Sequence, residues 1–361
     1  MAQNSALSIT QIAQLAGVSA ATVSRVFRGG YVKEETRRQI LRIAQQQGYQ
    51  PRTYKKQVSL HHDTVIGVAV ADLGNPFFQK IIRAITEVLD QHGVGIIVCD
   101  NNENPSREIR NLSLLRQLNV NGIIIAPISE NETYNNAFIK EIHDKGLPVI
   151  VLDRDVKGIG LSGVFQNSYE GAYRAVDTLI RNGHEHIATV NGPITSKPGL
   201  DRMVGYMDAL RDHGIDVRQE YILYGNFKVE SGYTLTRQLL GAHPRVTAIF
   251  SANNMMSIGA LRAIREAGLR VPQDIAFISY GLLSPYDESS GPITQLIEPT
   301  ELMGHECAQL MLEKMAAKKK DSKVVKRVSF DVALDLRGSE VFPENRRQDK
   351  KHAEWSSRAD S

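Results

Sequence analysis

The chain has 361 residues, 42% of them hydrophobic, enough for more than one folded core. No stretch approaches the ~20 apolar residues of a membrane-spanning helix, and no basic patch followed by an apolar run opens the sequence, so a cytoplasmic protein without a membrane partner is expected. The net charge of +3 hides a division: residues 1–62 hold nine Lys/Arg and two Asp/Glu, or +7, which leaves −4 for the rest and directs the N-terminal segment alone towards nucleic acid.

Residues 8–27 read as two short helices joined by a tight turn. Ser8 and Gln11 have the spacing of a capping box, in which each side chain satisfies a backbone N–H at the helix start. Ile9, Ile12 and Ala16 mark a buried face, and Gly17 supplies the left-handed residue that ends the first helix. Ser19 caps the second helix, whose Val23, Val26 and Phe27 pack back on the first. Ala20, Ala21, Thr22, Ser24 and Arg25 are left outside or near its start. This is the geometry of a helix-turn-helix, whose second helix enters the DNA major groove.

A third helix is predicted over 33–47, with Ile40, Leu41 and Ala44 as its covering stripe and Arg37, Arg38 and Arg42 either solvated or near phosphates. Pro51 ends this headpiece, residues 1–51. Residues 52–62 form a basic, non-periodic hinge that could become ordered on a phosphate backbone.

From Thr64 the pattern changes to Val/Ile-rich strands alternating with helices, in two rounds that meet near 157–160. Apolar runs without alternation fit strands buried on both faces, as parallel sheets require. The fold expected is therefore an all-α headpiece followed by an α/β domain over 63–341, built from two doubly wound lobes. Lobe 1 is placed at about 63–162 and 295–326, lobe 2 at about 163–294 and 327–341. Residues 342–361 lack periodicity and read as a disordered tail without leucine heptads. Cys99 and Cys307 lie far apart in apolar surroundings and read as buried free thiols.

Several motifs now stand in order: Ala16-Gly-Val-Ser-x-x-Thr-Val-Ser-Arg25, Gly48-Tyr-x-Pro51, Asn75-Pro-Phe-Phe78, Gly183-His184, Gly205-Tyr-x-x-Ala-Leu210, Ser257-Ile-Gly-Ala-Leu-Arg-Ala-Ile264 and Val271-Pro-x-Asp274. With them the chain resembles the lactose/galactose repressor (LacI/GalR) family over nearly its whole length, the tail excluded. The resemblance implies a homodimeric repressor of a carbohydrate-utilisation operon. Each headpiece would read half of a palindromic operator in double-stranded DNA. A small effector, a sugar or sugar phosphate, would sit between lobes resembling type I periplasmic binding proteins. A ligand can change the lobe angle only by binding one arrangement better than the other.

Residue by residue, the resemblance assigns Ala20, Ala21 and Arg25 to base contacts. The alanines offer only apolar contact, and the arginine can donate two bonds to guanine. Ser19, Thr22 and Ser24 go to phosphates, with Thr10 and Tyr31 as further phosphate candidates. The hinge departs from the family, which carries a leucine wedge and a small alanine where Val58 and Lys55 stand here. In the effector cleft Asn75, Phe77, Phe78, Asp153, Arg154, Arg202, Asn253 and Gly281 occupy family positions. Four typical aspartates are missing: Asn254 ends an Asn–Asp position, Gln166 precedes Asn167, and Gly281-Leu282 stand in place of Asp–Asp.

Two readings follow from those losses. Fewer carboxylates and a retained Arg202 favour a more anionic ligand; alternatively, the cleft no longer binds ligand tightly and abundance controls the protein. An enzyme is disfavoured: no catalytic set or cofactor motif is present, and His184 with His186 lack further metal ligands at a recognisable spacing. A solute-binding protein is disfavoured by the intact headpiece.

Overall fold

The computed structural model describes residues 9–27, 32–46, 64–129, 133–283, 291–317 and 324–341. They fall into two compact units, 1–63 and 64–361.

In the first unit α1 (Ile9–Leu15) ends at Gly17, whose φ of +63° is the left-handed turn the sequence calls for. Ser19 caps α2 (Ala20–Phe27) by accepting a hydrogen bond from the Thr22 amide at 3.1 Å, and its hydroxyl also meets that of Thr22 at 2.9 Å. Ile12, Ala13, Ala16, Val23 and Val26 are buried with Ile40 and Ala44 of α3 (Glu34–Gln46). Gln39 donates to the Ala16 carbonyl at 3.3 Å and so satisfies a group that the end of α1 leaves open. Leu41, expected in this covering stripe, is 45% exposed instead, one position round the helix from Ile40. The Ser8 cap lies outside the described residues.

The second unit holds two six-stranded sheets among its described residues. The first contains β1 (Val65–Val70), β2 (Gly95–Asp100), β3 (Gly122–Ile125), β4 (Val149–Leu152), β5 (Ser162–Gln166) and β11 (Arg327–Phe330), in the order β2-β1-β3-β4-β5-β11. The second contains β6 (Ile187–Asn191), β7 (Ile222–Tyr224), β8 (Ala248–Ser251), β9 (Ala276–Tyr280), β10 (Thr294–Ile297) and β12 (Ala333–Asp335), in the matching order β7-β6-β8-β9-β10-β12. Only β12 runs antiparallel to its neighbour.

Each sheet is covered on both faces, as parallel strands require. The first packs α4 (Pro76–Gln91) and α11 (Thr300–Ala316) on one side, α5 (Pro105–Gln117) and α6 (Thr133–Asp144) on the other. The second packs α7 (Ser168–Arg181) and α8 (Lys197–Asp212) against α9 (Val229–Ala242) and α10 (Asn254–Glu266). Alternation sorts the strand side chains: Ile66, Val68 and Val70 join one cluster while Ala69 joins the other. Cys99 and Cys307 are both buried and free, in clusters on opposite faces of the first sheet.

Two doubly wound lobes are therefore present, but the chain crosses between them later than expected. β5 and β11 complete the first sheet and β10 the second. The crossings fall after Gln166, Ile297 and Phe330, about four residues beyond each expected lobe boundary. The physical reason is that the finishing strands, Ser-Gly-Val-Phe-Gln, Thr-Gln-Leu-Ile and Arg-Val-Ser-Phe, are short and half polar. None forms the apolar run that marks a central strand.

Candidate functional site

The outer face of α2 presents what a DNA-reading helix needs. Ala20, Ala21 and Arg25 are exposed, Ser19 is exposed at the cap, and Thr22 and Ser24 are half-buried. Thr10 is exposed on α1. Tyr31, Lys55 and Val58 lie outside the described residues.

The second site forms where both sheets end. In a sheet of order 2-1-3-4-5 the connections leaving β1 and β3 diverge to opposite faces and open a crevice at the strands' carboxyl ends. The two lobes bring two such crevices together. Asp72, Asn75, Phe77, Phe78, Glu103, Asp153 and Arg154 from the first lobe, with Pro198, Arg202, Phe227, Asn253, Asn254 and the crossing residue Glu298, line one cleft. Seven of the eight residues expected here line this cleft; Gly281 does not, but stands beside it.

Several of these residues have structural duties. Asn75 caps α4 through the Phe77 amide at 3.0 Å, and Asn253 caps α10 through the Met256 amide at 3.0 Å. Asn75 also accepts from Asn254 at 2.9 Å, a bond between the lobes. Phe77 and Phe78 meet edge-to-face at 5.0 Å and are both part of the α4–α11 core, so the wall they form is rigid.

Each cation of the cleft is paired with a carboxylate. Arg154 is buried and holds both oxygens of Glu103, at 2.8 and 2.5 Å, a bidentate arrangement. Its guanidinium lies 5.1 Å above the Phe227 ring. Arg202 donates to the Ala252 carbonyl at 2.8 Å, faces Glu298 at 3.6 Å and stacks 3.5 Å over Tyr280. Lys228 reaches from the second lobe to Asp72 at 2.7 Å and to Asn102 at 2.8 Å in the first. Gln166 bridges Asp153 at 2.8 Å and Glu298 at 3.2 Å. Burial pushes the Glu298 carboxyl up to about 7, with Arg202 opposing and the charge of Asp153 reinforcing the rise.

The backbone around the cleft is unusual too. Among the described residues five non-glycine residues adopt positive φ, and Glu103, Asp153 and Phe227 of these line the cleft while Asn102 touches Lys228. Such conformations cost of order 1–3 kcal/mol each and gather where packing must hold side chains at set positions.

Asp72, Glu103, Phe227, Lys228 and Glu298 escaped the sequence reading. The rule that ligands meet the first residues after a strand's carboxyl end would have found the first four. Glu298 follows β10, a strand too short and polar to be seen.

Two family descriptions match the chain. "Bacterial regulatory proteins, lacI family" covers residues 8–52, and "periplasmic binding proteins and sugar binding domain of LacI family" covers residues 63–331. The chain belongs to the LacI family.

Relatives within that family include the HTH-type transcriptional repressor PurR of Erwinia tasmaniensis, 31% identical over 88% of this chain and 93% of its own length. PurR of Edwardsiella ictaluri is 28% identical over the same shares. Among solved structures, the transcriptional regulator CelR in complex with cellobiose covers 92% of this chain and 99% of its own, at 27% identity and a TM-score of 0.69. The lac repressor dimer bound to operator and the anti-inducer ONPF covers 93% and 100%, at 25% identity and a TM-score of 0.67. As a LacI-family member the chain is a DNA-binding transcriptional regulator, and among its described residues no helix is long and apolar enough to cross a membrane.

Proposed function

We propose that this regulator is a homodimeric, cytoplasmic repressor that binds a palindromic operator through α2 and is controlled by a small, uncharged, hydroxyl-rich ligand in the interlobe cleft. The dimer follows from the headpiece: one three-helix unit has few base contacts, whereas two half-sites add theirs. The CelR relative carries cellobiose, which supports the ligand class by analogy.

The charge pairing in the cleft carries this reading. With all groups ionised, Asp72, Glu103, Asp153 and Glu298 face Arg154, Arg202 and Lys228, so carboxylates outnumber cations. Glu298, from another segment, thus returns one carboxylate beside positions 166 and 281. That balance argues against the sugar phosphate or acid inferred from the sequence, because a phosphate would have to displace a carboxylate from its guanidinium. Hydroxyls meet carboxylates and amides as donors and acceptors without that cost.

The test is fluorescence anisotropy of the protein on its own upstream duplex against a scrambled one, at fixed salt, with neutral sugars and sugar phosphates added in turn. Selective DNA binding that neutral sugars shift and phosphates do not is the expected result. Selective binding that nothing shifts favours the second reading, a regulator with a silent cleft. The Lys228 bridge and the Asn254–Asn75 bond support that reading, since both join the lobes directly across the cleft.

A further inference from the structure

We propose that Glu298 is the specificity-determining residue of the cleft, presenting a carboxylate oxygen to a hydroxyl or ammonium donor of the effector and rejecting effectors that place an anion there. This rests on the ligand-controlled reading above and names the group that sets its ligand class.

Glu298 sits where the chain crosses back to the first lobe, between β10 and α11, and its side chain is 10% exposed, on the cleft wall. Its two oxygens have different surroundings. Oε1 accepts from Gln166 at 3.2 Å and faces Arg202 at 3.6 Å. Oε2 takes no hydrogen bond from any described residue. It lies 2.8 Å from where a Cβ on Gly281 would stand, so the absent side chain at 281 is the space this oxygen fills. The φ of +87° at Gly281 suits glycine and keeps that space open.

A carboxylate oxygen on the cleft wall that takes no hydrogen bond from a described residue is free to accept one from a ligand. The cation beside it is only half used as well. Arg202 bonds the Ala252 carbonyl through one terminal nitrogen and faces Glu298 at a long distance through the other, while its buried Nε has no hydrogen-bond partner. A hydroxyl-bearing ligand can donate to Oε2, whereas a phosphate or carboxylate placed there adds like charge beside Glu298 and Asp153.

Position also gives this residue leverage over the lobe angle. The Gln166 bond ties the crossing that follows β5 to the one that follows β10. The third crossing is tied to the first through the Asn167 amide and the Phe330 carbonyl, at 2.8 Å. A donor drawn to Glu298 therefore acts on the strands about which the lobes would turn.

The experiment compares the full-length protein with E298Q in mildly alkaline buffer. Calorimetry is run with neutral monosaccharides and disaccharides, amino sugars, sugar phosphates and uronic acids, and operator binding and thermal melting are followed in parallel. In E298Q the amide can keep its oxygen towards Arg202 and Gln166 and so turn an NH2 into the cleft, exchanging an acceptor for a donor. The expected result is a roughly ten- to hundredfold loss of affinity for neutral or amino sugars and a gain for the anionic compounds. Equal affinities in the two proteins would overturn the role of Glu298 and leave the ligand-controlled repressor standing. A wild-type preference for anions overturns both the role and the ligand class. Operator binding with no response to any compound defeats the ligand-controlled reading and this proposal with it. Should E298Q melt markedly lower, Glu298→Asp serves as second variant: it keeps the charge, draws the carboxylate back from the cleft, and is expected to weaken the same ligands.

Discussion

The outer face of α2 and the interlobe cleft are the two functional surfaces of this chain, and they handle polar groups in opposite ways. On α2 the polar residues lie exposed or half-buried around a small apolar core, with Arg25 exposed. In the cleft Arg154 and Arg202 are buried, and each is balanced by a carboxylate from another segment. An exposed charge costs little and awaits its partner. A buried one has a partner within the chain, so a ligand must fit around pairs that exist. Binding determinants on the first surface are therefore separable from stability, and on the second they are not.

The largest test of that contrast is Arg154→Met. It strands the half-buried Glu103 near the fully buried Glu108, and removing one member of a buried pair costs about 3–5 kcal/mol. Urea unfolding of the second unit should show this loss, with part of it restored when Glu103→Gln is added. A loss under about 1 kcal/mol would mean that water already solvates the pair.

Glu108 supplies a second test, through pH. Burial lifts its carboxyl from the ordinary value of 4.5 to about 7, against hydrogen bonds from Asn135 and the Ile128 amide. Between those values the folded protein holds a proton that the unfolded chain has released. Its contribution is complete below the unfolded value and is lost as pH rises through the folded one, up to about 3 kcal/mol. Glu298 has the same sign, so the wild-type profile sums both. Denaturation midpoints between mildly acidic and neutral pH should fall less steeply in Glu108→Gln; parallel profiles would remove Glu108 as a source.

On the DNA side, Arg25→Ala is expected to weaken the specific operator by about 1–3 kcal/mol and to relax preference at one base pair. Folding stability should move by less than about 0.5 kcal/mol. If affinity for random duplex falls equally, Arg25 is a phosphate contact.

The smallest effect belongs to Lys228→Met. Its side chain is 32% exposed, so the pair with Asp72 contributes at most about 1 kcal/mol. Its distinctive readout is opening: hydrogen exchange in the connections after β1 and β2 should quicken while the cores stay protected. No change there would show that the Asn254–Asn75 contact and packing hold the lobes without it.

The sequence by itself determined the headpiece, the succession of strands and helices and the outward face of α2. Those features are written in local signals: a glycine at the end of α1, Ser19 at the start of α2, apolar runs for strands buried on both faces. It also marked much of the cleft wall, since Asn75 belongs to a motif and the family resemblance assigned Asp153, Arg202 and Asn253. Where the chain changes lobes, and how the cleft's charges pair, only the tertiary structure decided. Arg154 meets Glu103 across 51 positions, Gln166 meets Glu298 across 132, and Lys228 meets Asp72 across 156. No periodicity or spacing encodes such pairs, because each depends on the register of several strands and on which crevices the winding brings face to face. The carboxylates missing at 166 and 281 were therefore read as a loss, when the fold returns one of them through Glu298.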